Sequence, residues 1–141
     1  MRSYLKINTT EAGKTMSMVA GVPQVITLCN IEVFNTDKST FTYNAETGEI
    51  TILRRGLMRI TGSFCLIEPI SVTADLSIML LVNGTPMFEM YSGTSNHRTL
   101  ASFSTTFSAG DVISFELTDQ STEDIETATD SEQFITMQRI S

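Results

Sequence analysis

The sequence predicts an all-β protein, an antiparallel β-sandwich or jelly roll. Three observations carry that expectation. Short runs rich in Ile, Val, Leu, Phe and Thr recur with a period of two, so that alternate residues share a face. Turn-forming residues bound these runs, among them Asn83-Gly84 and Ala109-Gly110-Asp111. No segment combines helical periodicity with capping residues.

Residues 24–34 (QVITLCNIEVF) read as the first strand of the body, followed by 41–43 and, after a turn at 44–48, by 49–53 with Ile50 and Ile52 on one face. Gly56 breaks that strand. Residues 57–67 then alternate Met58, Ile60, Gly62, Phe64 and Leu66 against Arg59, Thr61 and Ser63, a half-buried pattern. Residues 74–82 (ADLSIMLLV) differ, because Met79 and Leu81 make the second face apolar too. Asn83-Gly84 suits a type I′ hairpin turn, whose two central residues need positive φ, and 87–91 read as the returning strand. A polar loop is expected at 92–98. Strands follow at 99–107 and 112–117, then an acidic loop at 119–132, and 133–140 (QFITMQRI) close the chain. This reading gives about nine strands and one domain at 24–141, preceded by an N-terminal arm at 1–23.

Composition narrows the function classes. With 41% hydrophobic and 18% charged residues the chain is not disordered by composition. No apolar run is long enough to span a bilayer, so no membrane insertion is expected, and residues 1–10 carry no leader-like apolar core. The net charge of −7 argues against tracking nucleic-acid phosphates. Residues 1–23 hold Arg2, Lys6 and Lys14 against Glu11, a balance of +2 that leaves −9 on the remainder. Arg2, Tyr4, Lys6 and Lys14 are therefore candidate docking residues on the arm. Cys29 and Cys65 read as buried thiols in apolar strands, with a disulfide left open.

The order of several segments resembles the jelly-roll superfamily of tumour necrosis factor and the globular head of the first complement component. Tyr43 with Asn44-Ala-Glu-Thr-Gly48-Glu-Ile50 resembles that family's tyrosine, Thr-Gly and strand segment, and Gly56-Leu-Met58-Arg-Ile60 resembles its next strand start. Leu76 to Gly84 resembles its apolar strand ending in Asn-Gly. Ala101-Ser102 with Phe107-Ser-Ala-Gly110-Asp111-Val-Ile113 resembles its Ala-Ser and Gly-Asp segment, and Phe134-Ile135 its last strand. The similarity covers residues 24–141. Met58 and Ile60 stand where the family usually has aromatics, and no collagen-like stalk is present.

Members of that superfamily are typically homotrimers, and the residues supply an independent reason to expect association. A strand apolar on both faces needs a second cover. Met79 and Leu81, with Ile135 and Met137 opposite Phe134 and Ile140, are the candidate trimer interface, each worth roughly 1.5–3 kcal/mol when buried.

Catalysis is not expected. His97 is the sole histidine and no Gly-x-Ser-x-Gly nucleophile elbow occurs. One histidine and two separated cysteines do not make a structural zinc site. Asp119, Glu123, Asp124, Glu126, Asp130 and Glu132 are hard ligands of the kind calcium takes, but they lack EF-hand spacing, so no cofactor is expected and a calcium site stays open. Tyr91, Asn96, His97, Arg98, Asp124 and Glu126 are candidate recognition-loop residues.

The resemblance, with the missing leader, implies a non-enzymatic bacteriophage virion component such as a capsid decoration, head fibre or fibre tip. Its expected partners are its own copies, capsid or tail proteins, and a host-surface glycan or protein. A cell-surface or spore-surface adhesive domain is the alternative.

Overall fold

The computed structural model describes residues 3–8, 15–27, 31–67, 75–93, 97–129 and 133–141; within these, only the backbone is described at 31–33, 65–67, 97–98 and 129. Among the described residues fourteen strands run in order: β1 Tyr4–Asn8, β2 Thr15–Met18, β3 Gln24–Val25, β4 Ile31–Asn35, β5 Phe41–Asn44, β6 Glu49–Ile52, β7 Gly56–Ile67, β8 Leu76–Val82, β9 Thr85–Gly93, β10 His97–Thr99, β11 Phe103–Phe107, β12 Val112–Asp119, β13 Ile125–Thr129 and β14 Phe134–Arg139. Every pairing is antiparallel. An eight-stranded sheet runs β2-β13-β7-β14-β1-β4, with β10 and β11 also on β7, and a six-stranded sheet runs β5-β6-β12-β8-β9, with β3 on β12.

The core lies between the two sheets and follows strand parity. From the eight-stranded sheet come Leu5, Ile7, Met58, Ile60, Phe64, Phe107, Ile135 and Met137; from the six-stranded sheet come Phe41, Ile50, Ile52, Leu76, Ile78, Leu80, Ile113, Phe115 and Leu117. Phe88 on β9 stacks on Phe103 on β11, with centroids 4.5 Å apart, and closes one open edge of the sandwich. Two glycines set close approaches. A Cβ on Gly62 would stand 2.7 Å from the Phe134 carbonyl oxygen, and one on Gly48, at φ 72°, would stand 2.3 Å from that of Ile26.

The N-terminal segment is not a separate arm. Alternation in Tyr4-Leu5-Lys6-Ile7-Asn8 sends Leu5 and Ile7 into the core, and β1 lies between β14 and β4 in the sheet. β2 pairs with β13 and buries Met16 and Met18. The boundary expected at residue 23 is thereby corrected: Leu5, Ile7, Met16 and Met18 complete the sandwich. The start of the chain is also tied to its end, since the Arg139 N–H donates to the Ser3 carbonyl oxygen at 2.8 Å. The Ser3 hydroxyl donates to Asp37 Oδ2 at 2.7 Å, within the turn that enters β5.

Three other expectations change. The strand expected at 24–34 is two, β3 and β4, and Cys29 between them lies outside the described residues. Cys65 is on β7, and its backbone alone is described. The polar loop at 92–98 carries strand residues at both ends: β9 runs to Gly93 and β10 pairs with β7. The acidic loop at 119–132 contains β13, whose Ile125 and Thr127 are buried while Glu126 is exposed.

Candidate self-association face

Residues directly opposite in an antiparallel pair point to the same side. In β1, β14 and β7 that places Leu5, Met137 and Ile60 inward in one row, and Ile7, Ile135 and Gly62 inward in the next. The intervening residues point outward: Tyr4, Lys6 and Asn8 on β1; Phe134, Thr136 and Gln138 on β14; Arg59, Thr61 and Ser63 on β7. Phe34 on β4 opposes Lys6 and joins them. This outer face carries three aromatic rings, two cations and a polar centre.

Its side chains touch one another. The Tyr4 and Phe34 rings meet edge to face at 6.0 Å and 68°. Lys6 Nζ sits 5.3 Å from the Phe134 ring centre, a cation–π contact worth about 0.5–1 kcal/mol at an exposed site. The hydroxyls of Thr61 and Thr136 hydrogen-bond between these groups. Phe34 is nevertheless 54% exposed. No carboxylate is among the described outward side chains of β1, β4, β7 and β14; Glu126 stands outward on β13, beyond β7.

The candidate interface read from the sequence is corrected here. Ile135 and Met137 are 2% and 0% exposed because both face the core of their own subunit. Phe134, taken as their opposite, is the outward residue. Leu81 and Met79 do point outward from the six-stranded sheet, as their opposition to Pro86 and Glu89 shows. Leu81 is still only 3% exposed, and Met79 is half-buried. The four side chains therefore do not form one projecting surface.

The docking candidates divide as well. Tyr4 and Lys6 lie on the sheet face just described, while Arg2 and Lys14 lie outside the described residues. Among the recognition-loop candidates, Tyr91 is half-buried and packs against the core, which corrects its reading as an exposed contact residue. The Asp124 carboxylate accepts the Ala20 N–H at 3.0 Å and so holds the chain between β2 and β3. Glu126 is exposed. His97 and Arg98 stand on β10 opposite Cys65 and Phe64, and Asn96 lies outside the described residues.

Sequence reasoning missed Phe34, Phe134 and the Thr61–Thr136 pair. A signal was present in 134–138, where Phe134 shares its parity with Thr136 and Gln138, whereas Ile135 and Met137 share theirs with no polar residue. Among the described residues no three of His, Cys, Asp and Glu stand together as a metal-ligand group, and no helix is long and apolar enough to cross a membrane.

No protein-family model matches the chain, and no curated protein matches it in sequence. Solved structures match it in shape. Murine APRIL, at pH 5.0, superposes with a TM-score of 0.68 at 9% identity, covering 99% of this chain and 100% of that one. Rabbit GITRL gives 0.63 at 14% identity, covering 99% and 94%. Vertex protein P5 of phage PRD1 gives 0.62 at 16% identity, covering 99% and 97%. The fold of this chain is the tumour-necrosis-factor-like jelly roll.

Proposed function

We propose that the chain is a non-enzymatic structural and binding module that works as a homotrimer in a virion. The observation that carries the self-association is the outer face of the eight-stranded sheet. Tyr4, Phe34 and Phe134 form an aromatic surface that one subunit leaves partly in water, and burying a phenylalanine there is worth roughly 1.5–3 kcal/mol. The occupant proposed is a second copy of this chain. Closed cyclic assembly satisfies such a face on every subunit without leaving one open. Lys6 and Arg59 on this face suit a contact with the carboxylates of a chain whose net charge is −7.

Support for the virion comes from the fold shared with the PRD1 vertex protein, and capsid or tail proteins are the proposed partners. Light scattering on the purified chain is expected to give three times 15.5 kDa. Phe134→Asp is expected to reduce that to the mass of one subunit while the strand signal in circular dichroism persists. A parent chain that is monomeric at every concentration would overturn the proposal. So would a Phe134→Asp chain that keeps the parent mass.

A further inference from the structure

β8 and β9 meet at Asn83-Gly84, where φ is 54° and 80°, the backbone of a type I′ turn. The carboxamide of Asn83 is held at both of its polar atoms. Nδ2 donates to Asp111 Oδ1 at 3.0 Å, and Oδ1 accepts the Val112 N–H at 2.9 Å. Asp111 is fixed in turn: its Oδ2 accepts the Ser108 N–H at 2.8 Å, and its carbonyl oxygen accepts the Ile52 N–H at 2.8 Å. The two turns of this end of the sandwich are thus tied through one side-chain amide and one carboxylate, beside a backbone bond in which the Asn83 N–H donates to the Val112 carbonyl oxygen at 2.8 Å.

Asn83-Gly84 is the one Asn-Gly pair in the sequence, and both residues are exposed to water. Glycine places no side chain in the way of its own backbone nitrogen. After that nitrogen loses its proton to solvent hydroxide, it can bond to Asn83 Cγ. The Cγ–Nδ2 bond then breaks and Nδ2 leaves as ammonia, closing a five-membered imide. One water opens the imide at either carbonyl, giving aspartate or a backbone routed through the side chain. Water is the sole co-reactant, and nothing is oxidised or reduced.

We propose that Asn83 is a spontaneous deamidation site and that Asp111 is the catch that keeps it silent in the folded chain. Attack needs the carboxamide to turn toward Gly84, which breaks the bonds to Asp111 and Val112. The product reinforces the change. A carboxylate at position 83 would face the Asp111 carboxylate where a donor now stands, so two like charges replace a hydrogen bond. Conversion would remove the side-chain tie between the β8–β9 turn and the Ser108–Asp111 turn, leaving the backbone one.

Conversion at Asn83 can be followed by peptide mass mapping in mildly alkaline buffer, natively and in urea. The native chain is expected to convert more slowly than the unfolded one by on the order of tenfold, the factor that two ordinary hydrogen bonds supply. Folded Asp111→Ala, which loses one of the two bonds, should convert several-fold faster than the folded parent, whereas Asp111→Asn, which keeps the oxygen acceptor, should stay slow. Equal rates for folded Asp111→Ala and the parent would overturn the catch, and an unfolded chain that leaves Asn83 intact would overturn the site. Should Asp111→Ala fail to fold, Asn83→Asp takes its place. It is expected to lower the melting temperature, and adding Asp111→Asn, which restores a donor between the two positions, should recover it. No recovery would overturn the catch.

Discussion

The two sheets each turn one face to the core and one outward, and the outward faces differ in how they treat apolar side chains. On the six-stranded sheet Val25, Glu116, Met79 and Glu89 form a row in register, so carboxylates flank the methionine. Leu81, between Ser114 and Pro86, is already covered by its own subunit. On the eight-stranded sheet Phe34 stands half in water beside Tyr4, and the charges nearest the rings, Lys6 on β1 and Arg59 on β7, are positive, with Glu126 further along on β13. An apolar residue on an outward face thus has two meanings. It is a local pad in one sheet and an unfinished contact in the other. Only the second kind argues for a partner.

The comparison can be broken most severely from inside. Met137→Ala, a truncation in the core behind the aromatic face, is expected to cost about 2–5 kcal/mol, read as a lower denaturation midpoint. An effect well below that range would mean that Met137 is not an inward residue. The change expected at the six-stranded sheet is smaller. Met79→Asp would place a carboxylate between Glu89 and Glu116 and cost roughly 0.2–1 kcal/mol for each like-charge contact. It should leave the scattering mass of the parent intact, and a loss of mass would move the self-association face to this sheet.

The smallest effect concerns acid. Hydroxyls of Ser39, Ser3 and Thr40 donate to the Asp37 carboxylate and hold its pKa well below the ordinary value of 3.8. A group depressed in this way stabilises the fold fully above its ordinary pKa, and that contribution fades as pH falls below it. Asp37→Asn should therefore lower the melting temperature at neutral pH more than in strong acid. An equal loss at both would show that the carboxylate charge is not what Ser3 and Thr40 read.

Much of the fold was legible because single strands declared their parity. Ile50 with Ile52, Met58 with Ile60, and Ile113 with Phe115 each alternate against polar residues, and all are core. Asn83-Gly84 declared its turn for a steric reason that acts locally. The candidate site was less legible because Phe134 and Ile140 put apolar residues on the parity of Thr136 and Gln138, so the alternation in 134–138 is a weak sign of which side is in. Register with Leu5 and Ile60 decides that, and register is a property of three strands far apart in sequence. β13 was hidden for a different reason. Glu123, Asp124 and Glu126 make its surroundings look like a solvated loop, while the strand depends on pairing with β2 and β7.

The backbone contact between Ser3 and Arg139 has a practical consequence. Whatever is joined to the chain at either terminus, a peptide tag or a neighbouring domain, leaves from the same end of the sandwich. The loops between β2 and β3 and between β12 and β13 then point away from the attachment, free to meet something else.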